Sequence, residues 1–451
     1  MTRTNTIATL SLVWGFALGA PDPAAAQVFD TFGFDARSSS LAGAVTGSVE
    51  GAPSNYYNPA GLVRSERTHI QVGVVQAFPD FSINGADAGV DEIGGLTLGL
   101  AVPGEISGFR FAFGLGVHLP HGRLSRSRSL PRTQPRFEFY DNRPHRTFLG
   151  AHVAIRPFDW LLIGGGIAFQ AVSENALDLR GGLDFFSPDS DTRLEHEFRA
   201  TLTTIRYPQV GIQVIPHEMV SVGLVYRHEY ALGNDLTAGI DAGLTGVGDP
   251  IPIFLDLQTI STNVFVPRQL SLGVTIEPIP RLRIHAEVTW LDWSNYRSAI
   301  GRSDVELAIE VPPALEETIN VPDEITSTEF IPAEFEDRFV PRIGIEGIPV
   351  STEGFELALR AGYLYENTPV PDQRGVSNLI DNDRHAISLG AGFALTDLKP
   401  TIQGRLSLDL HFQWSIIPER VTEKASLVNP IGDYRADGQV YSLAATLGVA
   451  L

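Results

Sequence analysis

The sequence predicts an all-β protein: a transmembrane antiparallel β-barrel of about 14 strands, with an N-terminal plug in its lumen. Three observations lead to this prediction. Polar and apolar residues alternate over segments of about ten residues, which is the length of a tilted membrane-crossing strand. The connections between these segments are alternately short and long, and the chain opens on an apolar run typical of a secretory signal peptide.

Residues 1–26 have the layout of a signal peptide. Arg3 gives a short positive head, and the apolar run Ile7–Ala20 is too short to cross a bilayer. Pro21 and Pro23 interrupt the run, and three alanines then precede Gln27. A buried N-terminal helix is the alternative, but the prolines and the alanine cluster favour cleavage after about residue 26 and export of the chain.

Composition excludes several classes of function. The formal net charge of -20 argues against nucleic acid as a partner, because phosphate binding needs a basic face. The chain contains no Cys, so it has neither disulfides nor thiolate metal sites, and we expect no metal and no cofactor. No later stretch has eighteen consecutive apolar residues, so we expect no transmembrane helix in the mature chain.

Alternation is clearest near the C-terminus. Because side chains in a strand alternate between its two faces, the segment from Arg405 has one polar face and one apolar face. The polar face carries Arg405, Ser407, Asp409, His411 and Gln413, and the apolar face Leu406, Leu408, Leu410, Phe412 and Trp414. Segments 109–117, 281–290, 355–365 and 441–451 repeat the pattern.

The rhythm of connections separates a barrel from a soluble β-sandwich, which also alternates. Short connections at 215–217, 277–280 and 397–400 alternate with long ones at 119–145, 231–263, 294–337 and 416–436, as in barrels with short periplasmic turns and long outer loops. We place strands near 69–78, 93–103, 109–118, 146–156, 160–172, 198–214, 218–230, 264–277, 281–293, 338–349, 354–365, 385–396, 401–415 and 437–451.

Residues 27–68 show no sustained period of two and are rich in Gly, Ala and Ser. They could form a periplasmic tail, but a barrel of this girth leaves a lumen that needs filling. Asn58-Pro59-Ala60-Gly61 is a turn signal within them. We therefore divide the chain into a signal peptide (1–26), a plug or hatch (27–68) and a barrel (69–451).

Several segments resemble one family. LAGAVTGSVEGAPSNYYNPAGL is similar to the N-terminal hatch of the FadL-type long-chain fatty acid transporters of the outer membrane. FVPRQLSLGVTIEPIPRLRIHAEVTWLDWSNY, LRAGYLYENTPVPD and NLIDNDRHAISLGAGF resemble that family too, in the family's order and over most of the mature chain. The resemblance implies a 14-stranded barrel in the Gram-negative outer membrane, capture of a hydrophobic substrate at outer loops, hatch movement and lateral exit through the wall near the third strand.

The third strand carries the residues suspected of forming that wall opening. Gly114, Gly116, Pro120 and Gly122 are poor ladder residues, so we expect a bulge or kink there. An ordinary strand end is the alternative interpretation.

Two loops carry opposite charge. Seven arginines crowd residues 123–146, and we assign Arg123, Arg126 and Arg128 to the substrate head group, because guanidinium pairs well with carboxylate. Lipopolysaccharide phosphates or a solvated loop are the alternatives. Residues 303–337 are acidic and contain no Lys or Arg. They could bind divalent cations or pair with the arginine loop, but a solvated loop is the simpler interpretation.

Two strands are expected to carry a polar network into the lumen: Arg283, His285 and Glu287 on one, and Arg405, Asp409 and His411 on the other. We expect cross-lumen ion pairs that brace the hatch. Ser407, Asp409 and His411 could instead form a hydrolase constellation. Residues two apart on a strand are about 6.6 Å apart, too far for a direct Ser–His hydrogen bond.

These observations favour a passive transporter of hydrophobic compounds, with long-chain fatty acids first and aromatic or aliphatic hydrocarbons as the alternative. An outer-membrane lipid hydrolase and a structural barrel without cargo are hypotheses of other classes. We expect no enzymatic activity. The expected partners are the small-molecule substrate, outer-membrane lipids and lipopolysaccharide, and we expect a monomer.

Overall fold

The computed structural model describes residues 31–122, 134–141, 147–184, 194–245, 251–296, 302–309, 333–375, 377–396, 404–425 and 431–451. Within these ranges, residues 170–206, 230–264 and 302–309 are described by their backbone alone. The predicted signal peptide lies outside the described residues.

Fourteen strands of the described chain form the barrel wall, which confirms the predicted fold class. They are β1 His69–Ile83, β2 Ile93–Ile106, β3 Phe109–Pro120, β4 Phe148–Phe158, β5 Leu161–Asp184, β6 Leu194–His217, β7 Val220–Arg227, β8 Gln269–Ile279, β9 Leu282–Leu291, β10 Arg338–Ser351, β11 Phe355–Glu366, β12 Arg384–Leu395, β13 Arg405–Thr422 and β14 Tyr434–Ala450. Each pairs antiparallel with the next. β14 pairs with β1 from His69↔Ala450 to Ile83↔Ala436, which closes the barrel.

The alternation places apolar side chains outside and polar ones inside. On β13, Leu408, Leu410 and Phe412 are 38–42% exposed, whereas His411 and Gln413 are 4% exposed. The exposed apolar residues form the surface that a bilayer covers, and the buried polar ones line the lumen. Closure follows from the same environment, because a strand edge left open in lipid would carry unpaired N–H and C=O groups.

The predicted rhythm of the connections is also present. Two residues join β2 to β3, β4 to β5, β6 to β7 and β8 to β9. In the first of these turns, Ser107 and Gly108 both have positive φ, 53° and 82°, as a two-residue hairpin turn requires. The connections at the other end are long, for example 121–147, 292–337 and 367–383.

Two of the predicted loops contain strands. β5 and β6 continue well beyond the predicted 160–172 and 198–214, and the segments expected to be loops at 231–263 and 294–337 contain strands Tyr230–Thr245, Ile251–Val266 and Arg302–Ile309. We call these three strands, together with residues 171–184 of β5 and 194–204 of β6, the outer sheet. The period of two persists through these segments, beyond the predicted strand ends.

Within the described residues, helical structure is confined to short pieces. The N-terminal segment, which we define as residues 31–68, contains helix α1 (Ala36–Ser40) and the 3-10 turns Ala52–Asn55 and Pro59–Val63. Helix α2 (Glu138–Asp141) and the 3-10 turn Trp293–Asn295 lie in outer loops. No helix among the described residues is long and apolar enough to cross a membrane.

Candidate functional site in the barrel lumen

The N-terminal segment lies within the ring of strands. Four of its apolar side chains, Phe32, Phe34, Leu41 and Leu62, are at most 2% exposed. Its helix α1 contacts β11, β12, β13 and β14, and its 3-10 turns contact β1 to β6. Contacts on so many strands require an internal position.

Two asparagines tie the segment to the backbone of the wall. Asn55 Nδ2 donates to the carbonyl oxygens of Leu100 on β2, at 2.9 Å, and Leu115 on β3, at 3.1 Å. Asn58 Nδ2 donates to Ile212 O on β6 at 3.1 Å, and its Oδ1 accepts from Ala60 N, which caps the turn that starts at Pro59. The predicted turn Asn58-Pro59-Ala60-Gly61 is therefore wholly buried and attached to the wall.

Inward-facing glycines on many strands leave space in the lumen for the segment. An added Cβ would overlap Asn58 at Gly211, the Pro59 backbone at Gly164, the Ala42 backbone at Gly362 and the Ser40 side chain at Gly390. An added Cβ would also overlap Asn55 at Gly114 and the Thr46 carbonyl at Gly223, and at Gly273 it would make a tight contact of 3.1 Å with Gly47 and Thr46. Of these glycines, only Gly114 stands among the residues predicted from the sequence, as part of the suspected wall opening. Their shared inward position on many strands is the signal that could have located the segment.

Polar side chains of the wall also bind the segment directly. Gln213 Nε2 donates to the carbonyls of Thr46 and Val49, at 3.3 and 3.1 Å. Glu287 Oε2 accepts from Thr46 N at 3.0 Å. His285 Nδ1 lies 3.3 Å from Ser48 Oγ, and His411 Nδ1 lies 3.4 Å from Ser40 Oγ. Three of the six predicted network residues, His285, Glu287 and His411, therefore contact the segment itself.

Glu346 is the centre of a buried ion network that the sequence did not single out. Arg37 of the segment donates to both its carboxylate oxygens, at 2.9 and 3.0 Å. Arg360 on β11 bridges Glu346 and Asp409, each at 2.6 Å. The side chain of Glu346 is 3% exposed, so its charge depends on these partners.

The remaining predicted network residues lie at its periphery. Arg283 pairs with Glu277 at 3.0 Å and reaches Glu346 at 3.5 Å, and Arg405 pairs with Glu356 at 2.6 Å. The suspected hydrolase constellation does not assemble: Ser407 Oγ donates to Gly448 O, and His411 faces Ser40.

The bulge expected on β3 is absent. Both ladders of this strand run without a register shift from Arg110 to His118. Gly114 and Gly116 are regular ladder positions whose missing side chains admit Asn55 and Leu62 of the segment. At the outer end, pairing with β2 continues to Pro120, whereas pairing with β4 stops at His118↔Phe148. Gly122 follows with a φ of 73°.

The predicted head-group residues Arg123, Arg126 and Arg128 lie outside the described residues, as does most of the acidic stretch 303–337. Residues 134–141 of the arginine loop are described and fold into the mouth of the barrel. Arg136 forms a parallel β-bridge with Leu379, with hydrogen bonds to Asn378 O and from Ile380 N.

Residues 134–141 also complete an aromatic cluster, which we call the roof. Phe137 stacks on Phe81 with ring centroids 4.3 Å apart, and Phe139 stacks on Trp293 at 4.9 Å. Phe265, Tyr296 and Phe335 surround Trp293. The roof is continuous with Phe34, Leu41 and Tyr56 of the N-terminal segment in one buried apolar cluster.

Two cavities flank the segment. The upper one, of about 50 Å³, is lined by Tyr57, Arg227, Arg342, Thr289 and Leu364 among others. Arg227 lies over the ring of Tyr56 at 4.4 Å, and Arg342 donates to Thr289 at 2.6 Å. The lower cavity, of about 360 Å³, is lined in part by the ion network, with Arg37, Glu346, Arg360, Arg405 and Asp409.

Comparison with known proteins assigns the family. The family model for outer membrane protein transport proteins (OMPP1/FadL/TodX) matches residues 200–447, which is more than half of the chain. The chain belongs to this family. It is therefore a FadL-type outer-membrane β-barrel of Gram-negative bacteria that transports hydrophobic compounds. No curated protein sequence matches it.

Solved structures share the fold at low identity. A Pseudomonas aeruginosa FadL homologue matches with a TM-score of 0.55 and 17% identity, over 92% of this chain and 97% of that one. The toluene transporter TodX of Pseudomonas putida matches with a TM-score of 0.51 and 14% identity, over 93% and 99%. The monoaromatic hydrocarbon channel CymD matches with a TM-score of 0.51 and 15% identity, over 92% and 97%.

Gly211→Val and Gly390→Val are expected to displace the N-terminal segment, because each new side chain would occupy the space of Asn58 or Ser40. Each should lower the free energy of unfolding by about 1–3 kcal/mol and raise ion conductance through planar bilayers. The matched control is Gly347→Val on β10, where no atom lies within 4 Å of the added Cβ. Equal effects of all three substitutions would contradict the role of the inward-facing glycines.

Glu346→Gln is expected to weaken the attachment of the segment, because Arg37 loses its anionic partner. Breaking a buried pair costs about 3–5 kcal/mol, and protease cleavage after Arg37 should accelerate. Glu356→Gln is the control: its single partner, Arg405, is half exposed, so the change should cost less than about 1 kcal/mol. Urea unfolding in lipid vesicles and limited trypsin digestion measure the two effects. The network would not hold the segment if the two variants behaved alike.

Proposed function

We propose that this FadL-type protein takes up long-chain fatty acids by passive transport, with aromatic or aliphatic hydrocarbons as the second candidate class. The supporting observation is the buried apolar cluster that runs without interruption from the roof to the N-terminal segment. An acyl chain exposes about 0.8 kcal/mol per methylene to water, so a chain of roughly sixteen carbons needs about 12 kcal/mol of shielding. A continuous apolar path through the polar surface layer would supply it.

The N-terminal segment acts in this proposal as a hatch. Its attachments are hydrogen bonds and ion pairs to the wall, and those of Asn55, Asn58 and Gln213 use single side-chain amides. Each hydrogen bond exchanged for one with water changes the free energy by only about 0.5–1.5 kcal/mol. A segment held this way can shift without unfolding the barrel. Its buried apolar side chains belong to the cluster that is continuous with the roof, so a shift of the segment moves them along that cluster.

The proposed route has three steps: capture at the outer loops and the roof, hatch movement, and lateral exit between β3 and β4. Exit is placed above the last β3–β4 pair, His118↔Phe148, because Leu119 and Pro120 have no β4 partner among the described residues. Outer-membrane lipid would receive the substrate there, and lipopolysaccharide surrounds the loops at the point of capture.

We prefer fatty acid over hydrocarbon as the substrate because arginine side chains lie along the proposed route. Arg227 and Arg342 line the upper cavity. The arginine loop, residues 123–146, contributes residues 134–141 to the roof. A carboxylate there gains charge-assisted hydrogen bonds of about 1.5–3 kcal/mol each, and a neutral hydrocarbon gains none. A lipid hydrolase is disfavoured by the separate partners of Ser407 and His411. A barrel without cargo would not require the continuous apolar cluster.

A disulfide between the segment and the wall is expected to stop transport. The Cβ of residue 273 would lie 3.1 Å from the Cβ of Thr46, closer than the roughly 3.5–4.5 Å of disulfides, so a small outward shift of the segment brings the pair into range, and the chain has no native Cys. In Thr46→Cys/Gly273→Cys, fatty-acid uptake should fall to the level of cells without the protein under oxidation and return on reduction. The two single-cysteine variants are the controls. Uptake that continues through the locked barrel would rule out hatch movement.

Replacing Arg123, Arg126 and Arg128 with Gln is expected to separate the two candidate substrates. Fatty-acid binding should weaken at least about tenfold, because a charge-assisted contact worth about 1.4 kcal/mol or more is lost, and toluene uptake should stay nearly intact. Isotope uptake by cells measures both. A parallel fall of both would assign the loop to folding or lipopolysaccharide contact. No change in either would place the head group elsewhere.

A further inference from the structure

Four aromatic side chains on one side of the outer mouth contact one another. They lie close to the outer ends of the neighbouring strands β8, β9 and β10 and are Phe265, Trp293, Tyr296 and Phe335. The ring centroid of Trp293 lies 5.3 Å from that of Phe265 and 5.8 Å from that of Phe335. Tyr296 contacts the same two rings, at 5.0 and 4.7 Å. We call these four residues the aromatic pocket.

A fifth ring, that of Phe139, reaches the aromatic pocket from the other side of the barrel. Helix α2, which carries Phe139, lies in the connection between β3 and β4, and β9 is the sixth strand after β3 in the ring of fourteen. Phe139 stacks on Trp293 with ring centroids 4.9 Å apart and planes 19° apart, and it meets Phe335 edge-on at 6.0 Å. The β3–β4 connection therefore crosses the mouth and places one of its rings against side chains that adjoin β8 to β10.

Helix α2 is attached to the mouth by few contacts. Arg136, just before the helix, is joined to the β11–β12 connection by two backbone hydrogen bonds, at 3.2 and 2.9 Å. Phe137 and Tyr140 pack on Phe81 of β1, with ring centroids 4.3 and 4.7 Å apart. Residues 134–141 contain no strand of the wall, so withdrawal of Phe139 would break no pairing of the barrel.

The space beneath the roof is too small for a transported molecule. The upper cavity has a volume of about 50 Å³, which is room for roughly four water molecules. Sites for small organic ligands have volumes of about 300–1,000 Å³. A hydrocarbon that enters from outside must therefore take space that side chains of the roof fill.

Phe139 can leave this space with less disturbance of the wall than the rings of the aromatic pocket. The guanidinium of Arg338 lies 5.0 Å from the centre of the Trp293 ring, and it pairs with Glu366 of β11 at 2.6 Å. Trp293 is therefore packed against a charged pair of the wall, whereas Phe139 belongs to a four-residue helix of a loop. Movement of Phe139 is the change that opens the aromatic pocket and leaves its other rings in place.

We propose that the aromatic pocket captures the hydrocarbon part of the substrate, and that Phe139 occupies the pocket until substrate displaces it. This inference rests on the proposed function and names the site at which transport begins. The ligand group is a hydrocarbon about the size of a phenyl side chain, either the ring of an aromatic compound or the end of an acyl chain. The pocket offers such a group the arrangements that aromatic rings prefer, a stacked one on Trp293 and an edge-on one at Phe335.

Competition with Phe139 lowers the affinity for substrate, because substrate binds only to molecules in which the pocket is empty. The apparent dissociation constant equals the intrinsic one divided by the fraction of molecules with an empty pocket. Removal of the Phe139 ring raises that fraction and should tighten binding. This direction separates the occupant of a binding site from an ordinary core residue, whose truncation would not improve binding.

Quenching of Trp293 fluorescence by brominated ligands tests the site. Trp160→Phe/Trp290→Phe/Trp414→Phe leaves Trp293 as the fluorophore of the mature chain, since Trp14 lies in the predicted signal peptide. Bromine quenches tryptophan on contact, so para-bromotoluene or a fatty acid brominated at its terminal carbons should quench Trp293 saturably in lipid vesicles. Quenching by either compound or by both supports the site and identifies the class of hydrocarbon that it accepts. Quenching by neither overturns the proposal.

A substitution of Phe139 in the same protein tests its role as the occupant. Phe139→Ala should lower the ligand concentration at half-maximal quenching by about two- to tenfold, the equivalent of one lost aromatic pair. Phe137→Ala is the matched control and should shift this midpoint less, because it removes a ring of the same segment that packs on Phe81. No tightening in Phe139→Ala, or an equal shift in both variants, overturns the assignment of Phe139. The heat-dependent gel shift confirms that each barrel is folded.

Uptake assays separate this inference from the proposed function. Uptake of labelled fatty acid or toluene without quenching of Trp293 overturns the aromatic pocket as the capture site and leaves transport supported. Saturable quenching in a protein that takes up neither compound supports the pocket as a binding site and contradicts transport.

Discussion

The pairing of β1 with β14 is the constraint on which the rest of the structure depends. In lipid, each backbone N–H and C=O must find a partner within the protein, so the sheet must close on itself. Closure of fourteen strands fixes a lumen too wide for inward side chains alone to fill. The N-terminal segment occupies that space and brings its own backbone polar groups. Asn55, Asn58 and Gln213 satisfy several of the carbonyls that become buried where the segment meets the wall.

Buried charged groups also need partners within the protein, and an unpartnered charge is more unfavourable than an unpartnered amide. Glu346 is buried and would be strongly disfavoured without cations, since removing a carboxylate from water costs several kcal/mol. Arg360 and Arg283 belong to the wall, and Arg37 comes from the N-terminal segment. Withdrawal of Arg37 would leave Glu346 with its wall partners, so the barrel stays paired. This asymmetry lets the segment detach from the network without leaving a carboxylate with no cation.

The sequence predicted the barrel well because each strand carries its own signal. Leu406 to Trp414 alternate strictly, and that pattern needs no knowledge of neighbouring strands. Glu346 and Arg37 are far apart in the chain, and only the register of β9 to β11 and the position of the segment bring them together. Gly114 and Gly116 lie in regular ladders where a bulge was expected, since a missing side chain is typical of a bulge and of a close approach alike.

The outer sheet shows what the alternation of apolar and polar residues on a strand indicates. Alternation records that one face of a strand is covered, but not by what. On β5 the pattern runs from Ile163 and Ile167 to Leu177 and Leu183 with a polar interval at Ser173 and Asn175. The interval separates two apolar stretches of one strand. Alternation therefore predicts both parts of β5 as strand, and the pairing of β5 with Tyr230–Thr245 shows where that strand leaves the barrel wall and enters the outer sheet.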